Sequence, residues 1–102
     1  MNFPKVLSIG QKAFYNNPLI EVNLPEVEEI GDYAFESVPV ETINLPKVKN
    51  IGSYNFYEAP IESLVLPEVT YLGNYAAAYC SSLNLIECPK LENIGSSTFS
   101  SN

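Results

Sequence analysis

The sequence predicts a β-rich solenoid: about 4.5 coils of 21–22 residues, with short parallel strands stacked coil on coil and short 3-10 or helical turns between them. Three observations predict it. Prolines recur at positions 4, 25, 46, 67 and 89. Glycines recur at 10, 31, 52, 73 and 95, so the period is 21, 21, 21 and then 22. Apolar residues recur in register with both. A sustained period of about 20–50 residues marks a stacked array, because no single unit can bury its own apolar face.

The apolar columns define the expected core. One is Phe3, Leu24, Leu45, Leu66 and Cys88; a second is Val6, Val27, Val48, Val69 and Leu91. A third is Ile9, Ile30, Ile51, Leu72 and Ile94, and a fourth is Phe14, Phe35, Phe56, Ala77 and Phe99. Leu19, Val40, Ile61 and Leu83, then Val22, Ile43, Leu64 and Ile86, complete each coil.

Spacing sets the local expectations. Glu21–Leu24, Thr42–Leu45, Ser63–Leu66 and Leu85–Cys88 alternate inward and outward, which predicts one stacked parallel sheet. The proline after each segment has no N–H to donate and closes the strand. Val27–Ile30, Val48–Ile51 and Val69–Leu72 point inward at every third residue, which predicts short extended or irregular pieces on an opposite side. The column glycine then allows a backbone angle, or a close approach, that a Cβ would block. Asp32-Tyr33-Ala34-Phe35 and its equivalents suggest a single helical or 3-10 turn. The pairs Asn17-Pro18, Val38-Pro39 and Ala59-Pro60 make the next corner.

The whole chain, 1–102, reads as one domain with repeats near 3–23, 24–44, 45–65 and 66–87 and a partial copy at 88–102. Phe3 begins on a core column and the chain stops soon after Phe99, so the expectation is a segment of a longer array with uncapped ends that self-associate. The last residues, 100–102, are expected to fray. Repeat four is the irregular copy. It has Ala77 for Phe and one extra residue, so the solenoid is expected to bend or loosen there, with Tyr75 or Tyr79 swinging in to fill the missing ring.

Composition narrows the function. The net charge is −7, with five Lys and no Arg, which disfavours nucleic acid and anionic membrane as partners. No apolar run approaches the ~18 residues of a membrane span, and no signal-peptide pattern or Asn-x-Ser/Thr site is present. With no His, the usual nucleophile triads have no base, and there is no calcium loop or phosphate-cradling glycine run. No catalytic residue, metal ligand or cofactor is therefore assigned. Cys80 and Cys88 sit on apolar columns and read first as small buried thiols, with a disulfide as the alternative.

These columns carry a family resemblance. Leu19-x-x-Val22-x-Leu24-Pro25 followed by Val27-x-x-Ile30-Gly31-x-x-Ala34-Phe35 resembles the BspA-type leucine-rich repeat, also called the Treponema-type repeat. Ala77-x-x-Cys80-x-x-Leu83 matches the family's Phe-x-x-Cys-x-x-Leu corner except at its first residue. The likeness covers essentially residues 3–99. This chain is one residue short between Pro and Val, and another at the corner of the first three repeats. Asn55 and Thr98 stand where Ala is usual. The resemblance implies a leucine-rich-repeat solenoid from a secreted or cell-surface protein, bacterial or from a parasitic protist, associated with adhesion and protein binding.

Two surfaces are candidates for binding. Outward residues on stacked strands form ladders about 4.8 Å apart. These are Glu21, Thr42, Ser63 and Leu85, then Asn23, Asn44, Val65 and Glu87, with Ile20, Glu41, Glu62 and Asn84 just before them. This face suits a protein partner, such as a host or matrix protein, or is solvated filler. Tyr33, Tyr54 and Tyr75 form a column two residues after the glycine, with Tyr57, Tyr71 and Tyr79 on nearby turns. These rings either stack on a carbohydrate or pack on one another as a spine. Three functions follow in order: a protein-interaction and adhesion module, a carbohydrate-binding module using the tyrosines, and a structural spacer.

Overall fold

The computed structural model describes residues 8–100. Among the described residues nine short strands follow one another: β1 Ser8–Ile9, β2 Glu21–Asn23, β3 Glu29–Ile30, β4 Thr42–Asn44, β5 Asn50–Ile51, β6 Ser63–Val65, β7 Tyr71–Leu72, β8 Leu85–Glu87 and β9 Asn93–Ile94. All pairings are parallel. Each joins equivalent residues of neighbouring coils, as in Glu21 with Thr42 and Ile30 with Ile51. The result is a leucine-rich-repeat solenoid. The positions assigned to Phe3, Pro4 and Val6, and the last two residues, lie outside the described residues.

The expected columns do build one continuous core. Val22, Leu24, Val27, Phe35, Val40, Leu45, Val48, Ile51, Ile61, Leu64, Leu66 and Val69 are all buried. Each such side chain contributes about 1.5–3 kcal/mol when fully removed from water. Phe14 stacks on Phe35 with centroids 5.3 Å apart, and Phe35 on Phe56 at 6.1 Å.

The sheet layout differs from expectation. The extended pieces on the opposite side form the unbroken sheet, β1-β3-β5-β7-β9. The strands expected to form one sheet split into two pairs, β2-β4 and β6-β8. The glycine column explains the continuous side. None of these glycines has a positive φ, so close approach is what they provide. A Cβ on Gly31 would lie 2.8 Å from the Gln11 amide nitrogen, and one on Gly73 would lie 2.6 Å from that of Ser53. Each glycine amide reaches back one coil: Gly31 donates to Ile9, Gly52 to Ile30 and Gly73 to Ile51, all at 2.8 Å.

The run after the glycine is not helical. Tyr33 and Ser37 both have φ of 61°, and their equivalents are left-handed too: Lys12 (59°), Asn16 (58°), Tyr54 (62°), Glu58 (60°), Tyr75 (55°) and Tyr79 (59°). A left-handed residue every fourth position stops helix propagation, at roughly 1–2 kcal/mol each. The energy is offset between coils. Alternate amides donate to the next coil: Lys12 to Asp32, Phe14 to Ala34 and Asn16 to Glu36, then Tyr54 to Asn74, Phe56 to Ala76 and Glu58 to Ala78.

Repeat four does not break the stack. Its extra residue is absorbed at the corner, where the Leu83 amide donates to Cys80, and β6 and β8 stay in register. Neither tyrosine fills the place of the missing ring. Tyr75 stacks on Tyr54 and Tyr79 packs edge-on against Tyr57, because both start from left-handed backbone that aims them off the core. The side chain that turns in is Cys80, whose thiol donates to the Phe56 carbonyl at 2.9 Å. The discontinuity instead falls between coils two and three, where β4 and β6 share no ladder.

The glycine contacts can be checked. Gly73→Ala should lower stability by about 1–3 kcal/mol in urea unfolding, because its Cβ meets backbone that cannot rotate away. Gly10→Ala should change it by less than about 0.5 kcal/mol, since a Cβ there meets no described atom within 4 Å. Equal losses at both sites would contradict the close-approach role.

Candidate functional site

The strand-face residues come together in two groups. On β2 and β4, Glu21 lies beside Thr42 and Asn23 beside Asn44, and the Asn44 amide donates to Asn23 Oδ1 at 2.8 Å. On β6 and β8, Ser63 lies beside Leu85 and Val65 beside Glu87. The missing β4–β6 ladder separates the groups. The second group carries exposed apolar surface: Val65 and Leu85 are each 44% exposed. Ile20, at the edge of the first group, is also exposed.

Tyr33, Tyr54 and Tyr75 lie on the turn run, away from the strand face. The eleven candidate residues therefore form two surfaces. Tyr33 and Tyr54 stack with centroids 5.2 Å apart and planes 6° apart; Tyr54 and Tyr75 stack at 5.0 Å and 16°. Both faces of Tyr54 are covered. Tyr57 meets Tyr54, Tyr75 and Tyr79 at a tilt or edge-on. The Lys12 ammonium lies 5.7 Å from the Tyr15 centroid and 5.8 Å from that of Tyr33, within cation–π range. Tyr71 is not on a turn; it belongs to β7.

The structure adds one surface that the sequence reading misses. Ser8, Glu29, Asn50 and Tyr71 stand outward along the five-stranded sheet, beside a groove of about 490 Å³ floored by Gly10, Gly31 and Gly52. Its signal is present in the sequence: each residue directly precedes the inward Ile or Leu of the third apolar column. Treating that run as irregular passes over its alternation. Next to it, side chains link the coils. Asp32 Oδ1 accepts from the Ser53 amide, Ser53 Oγ from the Asn74 amide, and Asn74 Oδ1 from the Ser96 amide.

The electrostatics are modest. Partial burial pushes the Tyr54 hydroxyl above the ordinary tyrosine value, and the Tyr75 and Tyr33 phenols and the Glu36 carboxylate add to the shift. Burial also raises Tyr57, followed by Glu58 and the neighbouring phenols. Cys80 and Cys88 are not joined in a disulfide, and desolvation raises both thiols, so neither is an activated nucleophile. Among the described residues, no group of three or more His, Cys, Asp or Glu is placed to hold a metal ion. No helix among them is long and apolar enough to cross a membrane.

The tyrosine shifts imply a pH dependence. A phenol whose folded value is raised holds its proton more tightly in the folded state than in the unfolded state. That stability is fully present below pH about 10, the unfolded value, and is lost as pH rises through the folded one. Urea midpoints should therefore fall as pH rises above about 10, and Tyr54→Phe should flatten that fall. A midpoint that does not change over this range would remove the coupling.

One comparison with known proteins identifies the chain. The family model described as BspA type leucine rich repeat region matches residues 7–102, in six copies. No curated protein and no solved structure matches. The family match, the 21-residue register and the parallel stacked coils agree, and the chain belongs to the BspA-type leucine-rich-repeat family.

Proposed function

We propose that this chain is a protein-interaction and adhesion module of a secreted or cell-surface protein, without catalytic activity of its own. The observation that carries this is the pair Val65 and Leu85. They are exposed aliphatic residues held on hydrogen-bonded strands, with Ser63 and Glu87 beside them. An apolar centre with a polar rim on a rigid strand pair matches the anatomy of a protein interface. The family is a repeat scaffold of this general kind. Carbohydrate stacking on the tyrosine column is the weaker reading, because Tyr54 offers no free ring face. A partner captured from a panel of host and matrix proteins should be lost with Val65→Lys and Leu85→Lys, at unchanged melting temperature. Capture that survives both substitutions would remove this face as the site; binding on a glycan array, lost with Tyr33→Ala, would favour the sugar reading.

Self-association is a second reading with its own observation. Ile86 is 43% and Ile94 is 53% exposed, whereas Val22, Leu64, Ile30 and Ile51 in the same columns are buried. Ile86 in repeat four and Ile94 in the partial copy after it thus present an apolar edge that another coil would cover. Light scattering should show mass rising with concentration, and Ile86→Lys with Ile94→Lys should abolish the rise. A strictly monomeric mass at high concentration would rule this reading out.

A further inference from the structure

Coils two and three meet differently from every other described pair. Elsewhere three backbone rungs join successive turn runs, as in Lys12, Phe14 and Asn16 with coil two, or Tyr75, Ala77 and Tyr79 with coil five. Between coils two and three only the first survives, from the Tyr33 amide to Ser53. The Phe35 amide donates to the Asn55 side chain instead, at 3.1 Å, and the rung from Ser37 to Tyr57 is not made. Past the corner, β4 and β6 do not pair with each other either. On the glycine side the same two coils remain tightly joined through β3 and β5. The stack is hinged there and open opposite.

Asn55 is the wedge. It is fully buried in the column that elsewhere holds Ala13, Ala34, Ala76 and Thr98. Its Oδ1 accepts from Phe35 and its Nδ2 donates to the Gly31 and Gly52 carbonyls, each at 3.0 Å. The amide is satisfied only by standing between the two backbones. Thr98 is also buried and polar, but its shorter side chain bonds to Gly73 and Gly95 while the Ala77 rung to Thr98 is kept.

The opening is a cleft of about 330 Å³ with a definite chemistry. Val38, Pro39 and Pro60 give it apolar walls, Tyr57 gives it a ring, and Glu36 and Glu58 give it two carboxylates. No described lysine pairs with either carboxylate. Lys47, Lys49 and Lys90 form ion pairs with Glu26, Glu28 and Glu68 on the proline side, and Lys12 lies on Tyr15 and Tyr33. Tyr15 is the coil-one equivalent of Glu36 and Tyr57. At that corner Lys12 already places an ammonium over the Tyr15 ring of coil one and the Tyr33 ring of coil two. Around the cleft the Tyr57 ring and the two carboxylates are present and no described lysine is.

We infer that this cleft takes a lysine or arginine side chain from a basic segment of a protein partner. The alkyl stem lies between Val38, Pro39 and Pro60, and the charged end lies over Tyr57, between Glu36 and Glu58. The inference rests on the reading of the chain as a protein-interaction module, but it uses a surface distinct from Val65 and Leu85. It also explains what Asn55 does, which is to hold the cleft open.

The test is a titration of the whole chain with tetralysine and tetraarginine peptides, followed by backbone amide NMR shifts, with acetylated tetralysine as the neutral control. Shifts concentrated at residues 36–38 and 57–59 are expected from the basic peptides only. Glu36→Gln with Glu58→Gln should weaken binding by about 3- to 10-fold, and Tyr57→Leu by a similar factor. Asn55→Ala restores the residue of the sister coils. It should close the cleft, remove the shifts and leave the folded spectrum of the other coils in place. Shifts spread evenly over all exposed glutamates, or binding unaffected by the Gln pair, would overturn the inference. If the cleft stays silent while Val65→Lys still abolishes partner capture, this inference falls and the interaction reading stands. If neither surface binds protein, both fall.

Discussion

The fold depends on the contact between consecutive coils along the glycine column. A 21-residue coil has no helix and no hairpin of its own, so most of its backbone groups find partners only one repeat away. That requires neighbouring coils to sit at strand spacing, and the glycine positions allow it. With Gly52 and Gly73 pressed against the preceding backbone, the ladder through β3, β5 and β7 is continuous. The core columns then stack at the same spacing, which brings Phe14, Phe35 and Phe56 into contact. Truncating a ring buried in this way typically costs about 3–5 kcal/mol. The left-handed residues on the turn run are tolerated for the same reason, since the turns are held by bonds to neighbouring coils.

Asn55 shows what happens when one polar group competes with this order. A buried amide without partners would cost several kcal/mol, so it must be fully bonded. Three backbone groups satisfy it, and one of them, the Phe35 amide, would otherwise donate to the backbone of the next coil. The exchange of one bond for another is close to neutral in energy but not in shape. It opens one side of the stack and divides the strand face in two. The surface ion pairs Lys47–Glu26 and Lys90–Glu68 also span one repeat. Exposed as they are, each contributes at most about 1 kcal/mol, and they support the register more than the stability.

Much of the fold is legible in the sequence because stacking repeats the same demand at every coil. A column of Leu, Val, Ile and Phe in register admits one arrangement, and the buried set follows the columns closely. The turn run is misread from sequence because Tyr33 and Ser37 are not residues that favour positive φ. The run is held by bonds to neighbouring coils, Tyr33 to Ser53 in coil three and Asp32, Ala34 and Glu36 from coil one, which no local rule contains. The role expected of Tyr75 and Tyr79 fails on the same ground. The groove along Ser8, Glu29, Asn50 and Tyr71 is readable by alternation but lies in a run that looks irregular. Repeat four stands out through its extra residue and Ala77, yet a surface corner absorbs an insertion easily. Asn55, a single buried substitution, has the larger effect because it acts where backbones touch.

By itself the sequence determined the coil length, the parallel stacking, the family and the inward columns, since each follows from a pattern repeated about five times. Only the tertiary structure decided which sheet is continuous, how the tyrosines stack and where the solenoid opens. Those features depend on bonds between residues 20–25 positions apart, as between Asn55 and Phe35 or Thr98 and Gly73. A repeat pattern states what the coils have in common. The openings and exposed patches arise where one coil differs from the next, and their geometry exists only once the two are in contact.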